Sequence, residues 1–356
     1  MIYGLRVFAI GGGTGLSALL SGLKHFIDPP QPGDSKEEVY FADLAALVTV
    51  TDDGGSSGRL RDTFQMLPPG DIRNCLVALS EDESLLSSLF QHRFEGGGDL
   101  TGHNFGNLFL TALTAVTGDF SEAVRAASQV LAIRGRIFPS TNQSVSLVAE
   151  LENGEHLAGE TNISHSTTPI RRISLDPPTC RPPEDALEAL SQADLVLIGP
   201  GSLYTSLVPN VLVPGVVEAI GSSGALVVYL SNVMTQPGET TGYSISDHVG
   251  ALAAHAPGLE LSHILANSAP VPKETLARYR DEDAVPVELS DESALPCPLV
   301  LEDLLHPGPV LRHDGTKCAR ALTSLFRHSR LRAEQSPSAP SAPSARPARP
   351  ARTAQE

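Results

Sequence analysis

LRVFAIGGGTGLSALLSGLKH, residues 5 to 25, is the stretch on which the fold turns. Leu5 to Ile10 is a short apolar run, broken by Gly11-Gly12-Gly13-Thr14-Gly15. From Leu16 to His25 the apolar residues Leu16, Leu19, Leu20 and Leu23 recur at helical spacing. Strand, glycine turn and helix open a dinucleotide-binding unit, in which free amides at the helix start face a pyrophosphate. Gly12, Gly13, Thr14 and Gly15 are therefore candidate ligand contacts. A strict G-x-G-x-x-G counted from Gly11 needs Gly or Ala at position 16, which is Leu. With no convincing His/Asp or Lys catalytic pair either, an NAD-dependent oxidoreductase ranks last among the readings.

Downstream, residues 48 to 74 read VTVTDDGGSSGRLRDTFQMLPPGDIRN. A β-branched run feeds Asp52 and Asp53, then Gly54, Gly55, Ser56, Ser57 and Gly58, then Arg59 and Arg61. Glycine amides, hydroxyls and guanidiniums suit an anion, and the carboxylates suit ribose hydroxyls or a Mg²⁺ ion. One aspartate is expected to face the ligand and the other to close the turn, since Asp-Gly is also ordinary turn chemistry. Between the two stretches, Asp28 to Glu38 (DPPQPGDSKEE) reads as an inserted surface loop. Without it, Asp52 stands near the roughly 20-residue spacing at which such folds place a ribose-binding acid. Asp71 is the expected N-cap of a helix starting near Ile72, with Arg73 and Asn74 in its first turn. A cation there opposes the helix dipole, which suggests a ligand or a carboxylate such as Asp52 as its partner.

A helix over Glu83 to Phe94 is followed by a hinge at Gly96-Gly97-Gly98. Then comes TGHNFGN, residues 101 to 107, opening a long apolar helix from Leu108 to Val116. Asn104 and Asn107 share one face and suit ligand contact, with a helix cap as the alternative; His103 is the weaker candidate. Phe120 to Ile133 is an amphipathic helix. Residues 136 to 175 turn to short alternating segments, Ser144 to Leu151 and His156 to Thr161 around Asn153-Gly154, then Pro169 to Leu175, an antiparallel excursion. Asp194 to Ile198 is a buried strand ending in GPGSLYTS, which nominates Gly201, Ser202 and Tyr204. Ala225 to Leu230 is another, ending in SNVMTQPGET, which nominates Asn232 and Thr235. Helices are expected at Pro183 to Ala193, Val211 to Ile220, Ser246 to His255, Lys273 to Tyr279 and Lys317 to Leu325. A strand is expected at Ser262 to Ala266, with late edge elements at Val285 to Leu289 and Val310 to His313.

The fold class that follows is α/β, a doubly wound, mostly parallel Rossmann-like sheet with a small antiparallel excursion. One domain spans residues 1 to 330, and the Pro/Ala/Arg-rich tail at 331 to 356 is expected to be disordered. A net charge of −16 disfavours nucleic acid as a partner, and the absence of Trp removes the best base-stacking side chain. Four scattered cysteines without CxxC spacing argue against a disulfide frame or structural zinc. No run of eighteen apolar residues exists. The chain starts with a strand and not a cleavable signal, and a cytoplasmic location is the expectation.

GGGTGLS at 11 to 17, TDDGGSSGRLR at 51 to 61, PPGDIRN at 68 to 74, GHNFGN at 102 to 107, GPGSLYTSLVPN at 199 to 210 and NVMTQPGET at 232 to 240 together resemble the bacterial gluconeogenesis factor family (YvcK-like). That family is related to 2-phospho-L-lactate transferases (CofD-like), and the resemblance runs over residues 5 to 326. It implies a non-catalytic protein that binds a nucleotide-sugar, UDP-N-acetylglucosamine or similar, and links central carbon metabolism to cell-wall synthesis and cell shape. A protein partner in cell-wall synthesis goes with that role; homo-oligomerisation stays open. The transferase branch implies instead a Mg²⁺-dependent enzyme passing a phospho-linked group from a nucleotide-activated donor to a hydroxyl acceptor, with Asp52 and Asp53 as metal or acceptor contacts. The resemblance also singles out Tyr279 and Arg312 as ligand-facing, chemically suited to a uracil ring and a pyrophosphate.

Overall fold

The computed structural model describes residues 3–29, 39–81, 85–289, 292–308 and 310–335. Most of the Asp28 to Glu38 insertion lies outside them, as does the tail beyond 335. The strands are β1 (Tyr3–Gly11), β2 (Val39–Val48), β3 (Arg136–Pro139), β4 (Ser146–Leu151), β5 (His156–Ala158), β6 (Ile170–Asp176), β7 (Leu195–Ile198), β8 (Leu226–Leu230), β9 (His263–Asn267) and β10 (Leu299–Glu302). Seven of them form one sheet in the order β10-β9-β8-β7-β1-β2-β3, and every neighbouring pair in it is parallel. A parallel pair needs a crossover, and the chain supplies helices. These are α1 (Gly13–Leu23), α2 (Gly55–Phe64), α3 (Gly70–Leu79), α4 (Leu85–Gln91), α5 (Phe105–Thr117), α6 (Phe120–Val130), α7 (Glu160–Ser164), α8 (Glu184–Ser191), α9 (Val208–Leu212), α10 (Val216–Ser223), α11 (Ile245–His255), α12 (Lys273–Asp281) and α13 (Gly315–Gln335).

Alternation along β1 builds two cores. Leu5, Val7 and Ala9 face one way, into a cluster with α1, α3, α6 and α13. Phe8 and Ile10 face the other way, against α8, α9, α10 and α11. Sheets covered on both faces need apolar residues at nearly every position, and β7 accordingly buries all four of its residues. β4, β5 and β6 form a separate antiparallel sheet in the order β5-β4-β6. Leu147, Ala149, Ile173 and Leu175 of this sheet pack on the second core.

Several local expectations need correction. Arg136–Pro139 pairs parallel with β2 and belongs to the main sheet, so the antiparallel excursion is confined to β4–β6. Gly54 is the N-cap of α2, and Gly55 to Arg59 form its first turns. His156 begins a three-residue strand, and Thr161 falls in α7. Val211 to Ile220 is interrupted: a π turn at Leu203–Leu207 runs into α9, and α10 begins afresh after Gly215. Among the described residues, the helix after the second polar stretch covers only Leu85–Gln91. Val285 to Leu289 and Val310 to His313 are held by isolated bridges, Met234 to Pro286 and Leu305 to His313, and the edge strand is β10. Residues 331–335 continue α13 and are helical.

Spatial order places β1 beside β7, the point where the winding reverses. A crevice opens there outside the carboxyl ends of the strands, because the two connections leave in opposite directions. Gly11 ends β1 and Ile198 ends β7, so the two glycine turns meet at that reversal.

Candidate functional site

A cavity of about 300 Å³ occupies the crevice, at the low end of the roughly 300–1,000 Å³ of small-molecule pockets. It is lined by Gly12 to Gly15 from the first turn, Gly201, Ser202 and Ser206 from the turn after β7, and Asn232, Met234 and Gln236 from the turn after β8. Tyr279, Arg312 and His313 complete it from two late segments. Nine residues singled out from sequence thus meet in one place: Gly12, Gly13, Thr14, Gly15, Gly201, Ser202, Asn232, Tyr279 and Arg312.

Backbone geometry explains the first turn. Gly13 has φ of +63°, a conformation L side chains avoid. A Cβ at Gly12 would stand 2.6 Å from Thr49 Cγ2 and 3.0 Å from Asp71 Oδ2, so the close approach needs glycine. Asn210 donates from Nδ2 to the carbonyls of Gly11 and Ser206, at 2.9 and 2.7 Å, and so clamps the end of β1 to the turn after β7. Buried Glu239 performs the same service between the second and third turns. It accepts from the Tyr204 amide, the Thr205 hydroxyl and Gln236 Nε2, and Gln236 Oε1 accepts in turn from Ser202 at 2.7 Å. Burial raises the Glu239 carboxyl above its usual range, against these donors.

Two polar atoms at the cavity are buried and lack a hydrogen-bond partner, Asn232 Oδ1 and His313 Nε2. Asn232 spends only its Nδ2, on the Gly201 carbonyl at 2.9 Å. Burial holds the His313 ring down to about 4, so it is neutral at pH 7. Unsatisfied buried polar atoms cost stability and are few in folded proteins, so a pair in one crevice marks a place for a ligand or ordered water. Arg312 is exposed at the rim, and the Tyr279 hydroxyl accepts from the Leu311 amide at 3.2 Å.

The remaining candidates lie elsewhere, along a wall formed by α2, α3, α5 and α7. The two consecutive aspartates part company. Asp53 Oδ1 accepts from the Thr161 amide and hydroxyl, at 2.9 and 2.6 Å, and ties α7 to the main body. Asp52 Oδ1 accepts from the Gly54 amide at 2.9 Å, while Oδ2 faces Gly70. Asp71 does not cap α3, whose N-cap is Pro69. Its carboxylate reaches across to accept from the Gly13 amide at 2.6 Å, because the N-terminus of α1 offers a free donor nearer than its own helix does. Asn104 is the N-cap of α5, accepting from the Asn107 amide and donating to the Gln91 carbonyl. Asn107 bonds Ser56 and Arg73, and Asn74 Oδ1 accepts from Arg73. Gly54, Gly55 and Ser57 also belong to this wall, and Arg59 donates to the Thr101 carbonyl. Tyr204 is in the second core, bonded to the Tyr243 hydroxyl at 2.9 Å, and Thr235 is buried and bonded to Val285; neither lines the cavity.

Acids crowd the junction between cavity and wall. Burial and the nearby Asp52 raise Asp71 to about 6, and the Gly13 hydrogen bond acts against the shift. Burial, then Asp52, Asp71, Glu239 and Asp53, push Glu160 up to about 9. Among the described residues, no three His, Cys, Asp or Glu side chains converge as a metal cluster. A Mg²⁺ ion takes one or two carboxylates plus phosphate oxygens. Asp52 and Asp71, electrostatic neighbours beside the glycine turn, fit that donor set, whereas Asp53 is committed to Thr161.

Asp71, Asn210, Gln236, Glu239 and His313 escaped the sequence reading as site residues. Asp71, Asn210, Gln236 and Glu239 sit inside the motifs and His313 lies outside them; what marks all five is the three-dimensional signal of who bonds whom. No single helix among the described residues is long and apolar enough to cross a membrane; the apolar pair Leu203–Leu212 and Val216–Ser223 is bent by 75°.

A model of the family described as 2-phospho-L-lactate transferase CofD matches residues 7–305. The chain is 45% identical over 325 residues to the gluconeogenesis factor of Bacillus subtilis, covering 90% of this chain and 98% of that one. It is 46% identical over 321 residues to the gluconeogenesis factor of Halalkalibacterium halodurans, covering 89% and 95%. A crystal structure of a Bacillus halodurans protein, described as a member of the upf0052 family, aligns with a TM-score of 0.83 at 45% identity, covering 90% of this chain and 99% of that one.

Proposed function

The chain belongs to the 2-phospho-L-lactate transferase CofD family, among relatives named gluconeogenesis factors, and on that premise we propose that it binds a nucleotide-sugar, UDP-N-acetylglucosamine or a close analogue, in the crevice between β1 and β7. The observation that carries this reading is the pair of unpartnered buried atoms, Asn232 Oδ1 and His313 Nε2, at a cavity rimmed by the Arg312 guanidinium. An amide oxygen and a neutral imidazole can hydrogen-bond a base or a sugar, and a guanidinium suits a pyrophosphate. The amides of the glycine turn other than Gly13, which Asp71 holds, favour the same anion. In this reading the protein is a cytoplasmic, non-catalytic sensor that couples central carbon metabolism to cell-wall synthesis and cell shape through a protein partner. Calorimetric titration with UDP-N-acetylglucosamine tests it. Saturable one-to-one binding that NAD does not displace supports the proposal, and no binding overturns it.

A second reading is favoured by one observation, the Asp52 and Asp71 carboxylates beside the glycine turn. These residues would hold Mg²⁺, which supplies charge neutralisation for a pyrophosphate when bound. The chain's own part in a phospho-linked transfer would be to position that pyrophosphate on the amides of Gly12, Thr14 and Gly15, with the Gly13 amide holding Asp71 in place, and to exclude water. Mg²⁺-dependent consumption of a nucleotide-activated donor, lost in Asp52→Asn, would establish this reading over the sensor; no turnover with any hydroxyl acceptor would leave the sensor.

A further inference from the structure

The wall holds a second set of charges that the cavity does not use. Arg59 on α2 and Arg93, from the segment between α4 and α5, lie within electrostatic range of His103 from the same segment, as Arg93 does of Arg73 on α3, and His103 contacts Ser56; none of the four lines the cavity. Arg59 donates to the Thr101 carbonyl at 3.1 Å and Arg93 to the adjacent Gly102 carbonyl at 2.6 Å, so two guanidiniums are anchored on consecutive residues. Arg73 donates to Asn107 Oδ1 and Asn74 Oδ1, and its buried Nε has no partner. His103 Nδ1 and Ser56 Oγ are 3.1 Å apart.

Each guanidinium has five N–H donors. Between them the three make these four hydrogen bonds, all to neutral oxygens, and none forms an ion pair among the described residues. The groups also feel one another: burial and then Arg93 lower Arg73, and burial, Arg59 and Arg93 lower His103. Asp71 and Asp52 are within electrostatic range of Arg73 but do not bond it. In a chain of net charge −16, cations could readily find acids. Anchoring a loop would require its carbonyls to be satisfied, but not three like charges drawn together with most of their donors left over, an arrangement that costs free energy until an anion enters.

We propose that Arg59, Arg73, Arg93 and His103 form a binding site for a second ligand, a small phosphate-bearing anion, separate from the switch-point cavity. Arg59 and Arg93 are exposed and reach the phosphate oxygens from the rim. The part-buried Arg73 supplies Nε from below, and Ser56 Oγ and His103 close the floor. Asp71 is within electrostatic range of Arg73 and also bonds the Gly13 amide of the turn that lines the cavity, so the two sites are neighbours.

The site does not depend on the nucleotide-sugar assignment, and the test keeps the two apart. Inorganic phosphate is titrated into the full chain without Mg²⁺, at constant ionic strength against chloride, followed by calorimetry and ³¹P line broadening. Saturable binding is expected, weakened about tenfold or more in Arg59→Gln and in Arg93→Gln, as loss of a charge-assisted hydrogen bond requires. Both side chains are exposed, so unchanged circular dichroism and melting temperature should accompany the loss. Repeating the titration with UDP-N-acetylglucosamine present should leave phosphate affinity within twofold. Phosphate binding no stronger than chloride overturns the proposal, as does binding indifferent to both substitutions or displaced one-for-one by the nucleotide-sugar. If the nucleotide-sugar fails to bind at all, the two arginine variants still decide this site.

Discussion

The crevice between β1 and β7 and the wall of α2, α3, α5 and α7 are built from the same residue types, and they handle their hydrogen bonds in opposite ways. On the wall, Asn104 caps α5, Asn107 bridges Ser56 and Arg73, and Asp53 ties down α7. In the crevice, Asn232 leaves its oxygen and His313 its Nε2 without a partner. Asn104 and Asn107 have both ends of the amide closed within the protein and act as braces. Asn232 has one end held and the other open at the cavity, where the open end gains most from a ligand. Arginines reverse the pattern: those of the wall have donors in surplus, which is why the wall carries a site of its own.

The junction of the two regions gives the largest expected effect. Glu160 is raised in the folded state to about 9, from an ordinary value of 4.5. A raised carboxyl contributes stability that is fully present below the unfolded value and is lost as pH rises through the folded one. Wild-type stability should therefore fall between about pH 5 and pH 9, at a slope of up to about 1.4 kcal/mol per pH unit. Glu160→Gln should flatten that fall, gaining several degrees in melting temperature at pH 8.5 and little at pH 5. Parallel curves for the two proteins would mean that Glu160 ionises freely.

The contrast between open and closed amides is sharpened next by Asn232→Ala combined with Arg312→Ala. Nucleotide-sugar affinity should fall about 100-fold, or about 2.7 kcal/mol, with little change in melting temperature, measured by calorimetry and thermal unfolding. A binding loss matched by an equal stability loss would make Asn232 a brace like Asn104. The converse substitution, Asn104→Ala, should cost about 1 kcal/mol through loss of the α5 cap and leave ligand affinity within twofold. A tenfold affinity loss with intact stability would break the contrast. An effect of similar size is expected from Tyr204→Phe, which removes one hydroxyl pair with Tyr243. About 0.5–1.5 kcal/mol in chemical denaturation and no change in binding should follow.

Much of this could be read from residue order. Leu5 to Ile10 followed by glycines and then by Leu16, Leu19, Leu20 and Leu23 has no good alternative to strand, turn and helix, since periodicity and glycine act over a few residues. The same local logic located β7, β8 and β9. It failed where partners are distant. Arg136 to Pro139 could not be assigned to the main sheet without knowing that β2 lies beside it, and the start of α2 was hidden because Gly54, Gly55 and Gly58 argue against a helix that tertiary packing nonetheless supports.

Sequence alone determined the doubly wound class, the three polar strand ends and the glycine turns, because each depends on spacing within one short segment. Only tertiary structure decided which polar groups are left open. Asp52 and Asp53 are neighbours in the chain with identical side chains, yet Thr161 holds one and Gly54 the other. His313 is 301 positions from Gly12 by subtraction, and both line one cavity. Hydrogen-bond satisfaction is a property of who is nearby in space, and nothing in a linear spacing encodes it.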